Sequence, residues 1–340
     1  MAAVWGERRI RMSIGKVLVT GATGFTGGAL ARRLASHNAL VRALVRDRAR
    51  AAPLADLGVE IVEGDLCDPA ALREAIRGVD LVYHIAALYR QQGVEPQVFR
   101  EVNTMAVQHL LDAAIEAGVR RFDHCSTVGV HGDVKQPPAA EDAPFAPGDL
   151  YQESKLEGER IAARYMAEGR LAVTIFRPAG IYGLGDLRFL KLFRGIKRGC
   201  FPMIGDGQAL YHWVYVDDLV DGIVRCGTAD EAIGETYILA GPEYTTLNEM
   251  VATVAEELGV RPPWLRLPLA PVYAAAAACE AVCRPLGLEP PLHRRRVDFF
   301  TKSRAFDITK ARRQLGYAPQ MSIRDGVART GAWYAEQGLL

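Results

Sequence analysis

The 340-residue chain has little net charge and no long apolar run. A formal charge of +1 provides no electrostatic reason to expect a nucleic-acid or acidic-membrane partner. A membrane helix needs ~20 apolar residues, and the nearest window, residues 265–283, is bounded or interrupted by Arg266, two prolines and Glu280. We therefore expect no integral membrane segment.

Cysteine is also scarce. The six cysteines are not arranged in closely spaced pairs together with histidines, as zinc ligands are, so no metal site is predicted. Because the chain shows no secretory leader, we expect no disulfides and a cytoplasmic location. Residues 1–12 contain arginines but no apolar core. We interpret them as a disordered extension or an upstream start site rather than a targeting peptide.

Short apolar strands alternate regularly with helical patterns in this chain. Strands are predicted at residues 17–19, 41–45, 59–62, 81–84, 121–125 and 173–176, and helices at 26–36, 70–76, 97–117 and 151–167. This rhythm predicts an α/β fold, a Rossmann-type doubly wound parallel sheet with right-handed crossovers. Such sheets bind ligands at the carboxyl ends of their strands.

The chain is long enough, and with 49% hydrophobic residues apolar enough, to bury a large core. We assign residues 13–180 to a dinucleotide-binding domain. Residues 181–340 are expected to form mainly a smaller C-terminal substrate-binding lobe, with some segments returning to the first domain. Glycine turns at residues 183–185 and 205–207 indicate insertions beyond the main sheet, where the substrate-binding lobe is expected.

Glycine is concentrated directly after the first strand, where residues 20–27 read Thr-Gly-Ala-Thr-Gly-Phe-Thr-Gly. Gly21 permits a tight bend, Gly24 lets the backbone approach a pyrophosphate, and Gly27 lets helix and strand pack closely. The helix N-terminus then faces the anion. The turn therefore predicts a dinucleotide site. Its other predicted members are Thr23, Phe25 and Thr26.

Tyr151 and Lys155 are four residues apart, so they stand on the same face of a predicted helix. An ammonium ~4 Å from the phenol, at an effective dielectric of ~20, would favour the phenolate by about 4 kcal/mol, roughly three pH units. Tyr151 is then expected to exchange protons near neutral pH.

Together with ordered markers further along, these motifs resemble the extended branch of the short-chain dehydrogenase/reductase superfamily, which includes the NAD-dependent epimerase/dehydratase family. The resemblance runs from about Lys16 to Gln337. Its other markers include Gly64-Asp65-Leu66, His84-Ile85-Ala86-Ala87, Asn103 opening a helix, Ser126-Thr127, Arg177-Pro178 and residues 214–219.

The resemblance implies hydride transfer at C4 of nicotinamide, coupled to proton transfer at the substrate oxygen. In that scheme Tyr151 is the acid/base, Lys155 tunes it and holds the nicotinamide ribose, and the Thr127 hydroxyl orients the carbonyl or alcohol. The family usually has serine at the Thr127 position, and Ser126 is the alternative hydroxyl. His84, His124, His131 and His212 are interpreted as structural or pocket-edge residues.

The remaining cofactor contacts also follow from the resemblance. Asp65 and Leu66 match a pair that contacts adenine, although Asp65 has the alternative of being a solvated loop residue. Arg46 stands at the end of the second strand, where NADP-binding domains place an arginine against the 2′-phosphate, with Arg48 in reserve. In the alternative, NAD-binding arrangement, Arg46 covers adenine and Asp47 binds the ribose. The other predicted cofactor-binding residues are Ala86, Ala87 and Pro178.

The chain is most similar to the 3β-hydroxysteroid dehydrogenase and dihydroflavonol reductase group. Nucleotide-sugar enzymes commonly have an asparagine and an arginine where this chain has Gly180 and Tyr211. We therefore expect a small, fairly apolar ketone or secondary alcohol, steroid- or flavonoid-like, as substrate. The alternative is a nucleotide-sugar epimerase/dehydratase with tightly bound NAD, whose phosphate contacts come from Arg188 or residues 294–296.

A remote alternative is a non-catalytic dinucleotide-binding scaffold, which the retained Tyr151 and Lys155 disfavour.

The resemblance also bears on assembly. Relatives commonly pair two helices, equivalent to residues 103–117 and 151–167, into a four-helix bundle between subunits. Both segments carry apolar residues beyond a single stripe here, so a homodimer is expected.

Overall fold

The computed structural model describes residues 15–89, 93–283, 285, 288 and 290–340, so the predicted extension at residues 1–12 lies outside the described residues. The strands are β1 (Lys16–Thr20), β2 (Leu40–Val45), β3 (Glu60–Glu63), β4 (Leu81–His84), β5 (Arg121–Cys125), β6 (Ala172–Pro178), β7 (Gly180–Tyr182), β8 (Met203–Ile204), β9 (Leu210–Tyr215), β10 (Thr236–Leu239), β11 (Tyr244–Thr246) and β12 (Arg266–Leu267).

Helices connect these strands. They are α1 (Phe25–Ser36), α2 (Ala52–Ala55), α3 (Pro69–Ile76), α4 (Pro96–Arg100), α5 (Ala106–Glu116), α6 (Leu150–Ala167), α7 (Leu190–Lys197), α8 (Val216–Thr228), α9 (Leu247–Glu257), α10 (Leu269–Cys283), α11 (Arg294–Thr301), α12 (Thr309–Leu315) and α13 (Ile323–Glu336). None of the helices in the described part of the chain is long and apolar enough to cross a membrane.

The central sheet has seven parallel strands in the order β3-β2-β1-β4-β5-β6-β10, which confirms the predicted Rossmann-type doubly wound fold. Successive side chains of β1 point to opposite faces, as the two-residue period requires. Val17 and Val19 pack in one cluster with Leu30 of α1, whereas Leu18 packs in another with Leu110 of α5. Both faces are thus covered, which explains the unbroken apolar run of this strand.

The predicted helix at residues 97–117 is interrupted. A π-helical segment, residues 101–105, separates α4 from α5, and Asn103 lies inside this segment rather than opening a helix. Helix α6 packs closely against it, because a Cβ at Gly158 would lie only 2.2 Å from the Asn103 carbonyl oxygen. A helical pattern in the sequence does not distinguish α from π hydrogen bonding, so this local widening was not predictable.

The chain after β6 builds smaller sheets and also contributes to the central one. Strands β7, β9 and β11 form a three-stranded sheet, and β8 pairs with β12. Strand β10 returns to the central sheet and pairs with β6 in parallel, so the seventh strand comes from residues well beyond the six predicted ones.

Candidate active site

The glycine turn between β1 and α1 has the geometry of a phosphate cradle. Gly21 has a φ of 72°, a left-handed conformation that favours glycine. A Cβ at Gly27 would lie 2.3 Å from the Gly21 carbonyl oxygen, so a larger residue would push α1 away from β1. At Gly24 the added Cβ would be 3.2 Å from the same oxygen. The residues present therefore fit the pyrophosphate of a dinucleotide at the N-terminus of α1.

A cavity of about 1030 Å³ extends from this turn along the carboxyl edge of the central sheet. The residue that follows each of β1 to β6 lines it, namely Gly21, Arg46, Gly64, Ile85, Ser126 and Ala179. The strand order reverses between β1 and β4, the point at which sheets of this kind bind ligands.

The structure brings all the predicted site residues to this one cavity. Its lining includes Gly21, Thr23, Gly24, Phe25, Thr26, Gly27, Arg46, Asp65, Leu66, Ala86, Ala87, Thr127, Tyr151, Lys155 and Pro178.

Helix α6 presents Tyr151 and Lys155 to the cavity from its first turns. Asp149 caps the helix by accepting a hydrogen bond from the Gln152 amide at 2.9 Å. Lys155 is 2% exposed, and its Nζ donates to the Cys125 carbonyl oxygen at 2.6 Å. Burial lowers the pKa of Lys155. The Tyr151 ring makes an edge contact with Tyr89 at 5.0 Å between centroids.

The two hydroxyls after β5 have different partners. Thr127 Oγ1 accepts a hydrogen bond from the Gly129 amide at 3.1 Å. Its hydroxyl proton is not used in that contact, so Thr127 can still donate toward a ligand. Ser126 donates its hydroxyl proton to the buried carboxylate of Glu159. This arrangement favours Thr127 over Ser126 as the hydroxyl available to a substrate oxygen.

The wall formed by residues 86–88 is fixed from two sides. Thr20 Oγ1 accepts from the Ala86 amide at 3.2 Å and lies 2.9 Å from His84 Nδ1. Asn103 Oδ1 accepts from the Leu88 amide at 2.7 Å, and its Nδ2 donates to the Leu88 carbonyl at 3.1 Å. Asn103 also donates to Ser154 Oγ at 3.0 Å, which ties this wall to α6.

The end of the cavity beside β2 contains Arg46 and a residue that sequence reasoning missed, Arg50. Arg48, expected in reserve, does not line the cavity: its guanidinium donates to the Ile61 carbonyl at 3.0 Å and lies 3.8 Å from Glu63. Asp47 Oδ1 accepts from the Ala49 amide at 2.9 Å and caps the following turn. Arg50 lies in the 3₁₀ turn that follows β2, and no pattern in the sequence distinguished it from Arg48.

Asp65 and Leu66 follow β3, the neighbour of β2 in the sheet, and line the same cavity. Asp65 Oδ1 accepts from the Cys67 amide at 2.7 Å, which fixes the orientation of its carboxylate, and Leu66 is buried.

The far half of the cavity has an aromatic wall. The Tyr211 and Trp213 rings stack with centroids 5.4 Å apart, and Phe299 lies 5.2 Å from Tyr211. Trp213 also explains Gly180, where a Cβ would lie 2.6 Å from the indole ring. An asparagine at this position would collide with Trp213. The Tyr211 hydroxyl donates to the Phe299 carbonyl and accepts from Arg304.

Several cations line the cavity as well: Arg188, Lys191, Arg295, Arg296, Lys302 and Arg304. Two of them are paired with carboxylates, Arg188 with Asp186 at 2.7 Å and Lys302 with Asp298 at 2.8 Å. Arg294 is held by Glu280 at 3.0 Å and does not line the cavity. The Arg188 guanidinium also lies over the rings of Phe25 and Tyr89, at 5.5 and 5.6 Å.

Comparison with known proteins agrees with this geometry. The model of the NAD dependent epimerase/dehydratase family matches residues 17–240. The chain belongs to this family. The 3β-hydroxysteroid dehydrogenase/Δ5→4-isomerase of Mycobacterium tuberculosis is 30% identical to this family member over 97% of the chain and 93% of the relative. The dTDP-glucose 4,6-dehydratase of Streptomyces griseus is 31% identical over 94% and 93%.

Among solved structures, a dTDP-glucose 4,6-dehydratase of Streptomyces venezuelae with NAD and DAU bound superposes with a TM-score of 0.75. It is 29% identical and covers 95% of this chain and 99% of its own. The family member described here is therefore an NAD(P)-dependent enzyme of the extended short-chain dehydrogenase/reductase type that acts on a small molecule. Its relatives include both steroid dehydrogenases and sugar dehydratases.

Proposed function

We propose that the enzyme transfers a hydride between NADP(H) and a ketone or secondary alcohol of a fairly apolar, steroid- or flavonoid-like molecule. The observation that carries this proposal is the meeting of Thr127, Tyr151 and Lys155 in one cavity with the glycine turn. A bound nicotinamide dinucleotide supplies or accepts the hydride at C4.

The chain's own residues handle binding and the proton. In our proposal Tyr151 gives its phenol proton to the substrate oxygen in reduction and takes it back in oxidation. The ammonium of Lys155 favours the phenolate of Tyr151, and the cost of its burial is offset by the Cys125 carbonyl. The Thr127 hydroxyl donates to the same substrate oxygen and orients it.

The preference for NADP over NAD rests on the end of the cavity beside β2. Arg46 and Arg50 line it, and two guanidinium groups suit the 2′-phosphate of NADP. An oxygen of Asp47, the residue expected to bind the ribose of NAD, is engaged by a backbone amide. Asp65 and Leu66 are proposed to contact adenine, with Ala86, Ala87 and Pro178 along the cofactor.

The aromatic wall supports an apolar substrate. Tyr211, Trp213 and Phe299 offer flat faces that suit fused-ring or aryl compounds.

The second candidate, a nucleotide-sugar epimerase or dehydratase with bound NAD, is favoured by a different observation. Arg295, Arg296 and Arg304 line the cavity, and no carboxylate of the described residues lies within salt-bridge distance of them.

A Tyr151→Phe variant tests the proposal. We expect it to keep the fold and its NADPH affinity but to lose at least about a hundredfold in turnover, the low end for general acid/base catalysis. NADPH oxidation with a panel of ketones measures this, and wild-type protein is the reference. Near-normal turnover by the variant on the best substrate would remove Tyr151 from the mechanism.

Thermal shifts separate the two candidate functions. NADPH at about a hundred times its Kd should stabilise the protein by about 2.7 kcal/mol. We expect no stabilisation by UDP or related nucleoside diphosphates, since Gly180 and Tyr211 remove two predicted diphosphate contacts. Stabilisation of the cofactor-loaded protein by a micromolar nucleoside diphosphate would favour the epimerase.

We further propose a homodimer that pairs α5 and α6 of each subunit. Met105, directly before α5, is 44% exposed, and Ile161 and Met166 on α6 are only partly buried. A partner helix would cover these side chains. Light scattering should give twice the monomer mass, and a monomer at every concentration would rule the dimer out.

A further inference from the structure

Helix α6 carries a third polar residue in line with Tyr151 and Lys155. Glu159 lies four residues beyond Lys155, one helical turn deeper in the protein, and its side chain is 5% exposed. Its carboxylate accepts a hydrogen bond from Ser126 Oγ and forms an ion pair with Arg177 at 2.5 Å. No part of the proposed proton transfer uses Glu159.

Arg177 is held as firmly as Glu159. The residue lies near the end of β6, directly before the cavity-lining Pro178, and its side chain is 5% exposed. Besides the ion pair, its NH1 donates to the Glu141 carbonyl at 2.7 Å and lies 3.0 Å from His131 Nε2. Because both partners are buried, little solvent screens the pair, and its geometry is restricted.

The ion pair and the Ser126 hydrogen bond together join three segments that reach the cavity. Glu159 belongs to the helix of Tyr151 and Lys155, Ser126 precedes Thr127, and Arg177 precedes Pro178. The Ser126 hydrogen bond fixes the start of the turn that aims the Thr127 hydroxyl. Movement of the carboxylate would therefore shift Thr127 relative to Tyr151.

From this arrangement, and resting on the function proposed above, we infer that Glu159 is a positioning residue for the reaction. It holds Thr127 in register with Tyr151 and supplies negative charge that helps to keep the Lys155 ammonium charged.

The charges around Lys155 support the second half of this inference. The groups that face Lys155 are Cys125 and His124 on β5, His84 on β4 and Glu159 on its own helix. Burial raises the pKa of Cys125 to about 11, so the thiol is neutral, and it lowers the pKa of both histidines, so they are neutral too. Glu159 is the acidic residue of this set, and its charge raises the pKa of Lys155 against the effect of burial, although the guanidinium of its ion-pair partner Arg177 offsets part of that charge.

Glu159→Gln tests the inference because it keeps the shape of the side chain and removes its charge. In ketone reduction with NADPH we expect kcat to fall at least about tenfold, as a small misplacement of reacting groups can cost more. The basic limb of the pH profile should move to lower pH, since a nearby negative charge no longer raises the pKa of Lys155. The NADPH Kd, from fluorescence titration, should be unchanged.

Two further variants complete the experiment. Ser126→Ala removes the hydrogen bond but keeps the ion pair, so it should lower kcat without moving the basic limb. Glu153→Gln, an exposed glutamate on the same helix, is the control and should match wild type. If Glu159→Gln does not fold, Ser126→Ala decides the positioning role on its own.

The outcomes distinguish this inference from the proposed function. If the Tyr151→Phe variant keeps the turnover of the wild-type enzyme, the proposed function itself is contradicted. If Tyr151→Phe is inactive, but Glu159→Gln only lowers the melting temperature and keeps the wild-type kcat and pH profile, Glu159 is merely structural. A wild-type kcat in Ser126→Ala would likewise overturn the positioning of Thr127.

Discussion

The three arginines that follow β2 differ in position. Arg46 and Arg50 line the cavity, whereas the Arg48 guanidinium contacts Ile61 and Glu63, and this difference allows a test of cofactor choice. Arg46→Ala should weaken NADPH binding by roughly 1.5–3 kcal/mol, the worth of a charge-assisted contact, and NADH binding much less. Fluorescence titration with both cofactors measures the effect. Arg48→Ala is the matched control, because this residue turns to Ile61 and Glu63. Equal losses for NADPH and NADH in Arg46→Ala would support NAD.

The same residues show what the sequence could predict at this scale. Arg46 was identifiable because it directly follows an apolar strand, where side chains reach the cofactor edge of the sheet. The choice between Arg48 and Arg50 depends on the turn after β2, which begins a 3₁₀ helix at Ala49. Similarly, Glu159 resembles any helix glutamate in the sequence, and its buried partners come from residues 33 positions before and 18 positions after it.

The contact between α6 and the π-helical segment gives a prediction at the scale of elements. Gly158→Ala should destabilise the protein by about 1–3 kcal/mol, because the new methyl group would meet a backbone carbonyl that cannot move aside. Gly195→Ala in α7 is the control, since its Cβ would meet the Phe201 ring at an ordinary 3.4 Å. That variant should be neutral or up to about 1 kcal/mol more stable.

Chemical denaturation of both glycine variants provides the comparison. Similar stabilities for the two would mean that α6 and the π-helical segment separate at little cost.

The elements that could be predicted are those with a strong local pattern. Strands β1 to β6 and helices α1, α3 and α6 begin and end within a few residues of the predicted bounds, because the strands are short apolar runs and the helices carry apolar residues at helical spacing. Strand β10 was missed: its four residues look like any short apolar run, and only pairing with β6 makes them part of the central sheet. Sequence patterns carry no information on such distant pairing.

For the whole molecule, buried histidines make stability depend on pH. Burial lowers the pKa of His84 to about 3 and of His212 to about 4, and that of His124 well below its usual value. Below pH ~6.5 the unfolded chain gains a proton at each of them that the folded chain does not bind. Burial also raises the pKa of Asp123 to about 8, although the nearby Arg121 lowers it. Because the folded chain then holds a proton at Asp123 that the unfolded chain has lost, this residue stabilises the folded protein as the pH falls.

These effects are expected to lower stability in mild acid. Between pH 7 and pH 5, His84 and His212 each remove roughly 2 kcal/mol, and Asp123 restores roughly as much as one of them or slightly more. His124 acts in the same direction as the other two histidines, so these four groups together make the protein less stable at pH 5. Urea unfolding at the two pH values measures the difference. A free energy of unfolding that stays constant or rises toward pH 5 would show that these histidines are solvated or charged in the folded protein.

The late arrival of β10 has a consequence for synthesis. When β6 has left the ribosome, its outer edge is an unpaired row of peptide groups, and the strand that covers it follows about 60 residues later. At 5–20 residues per second the gap lasts roughly 3–12 s. During that time the nascent chain already holds the glycine turn, Tyr151 and Lys155, while β6 exposes an edge that invites pairing with a neighbouring chain. A fragment that stops at residue 180 would keep this exposed edge permanently and is expected to aggregate.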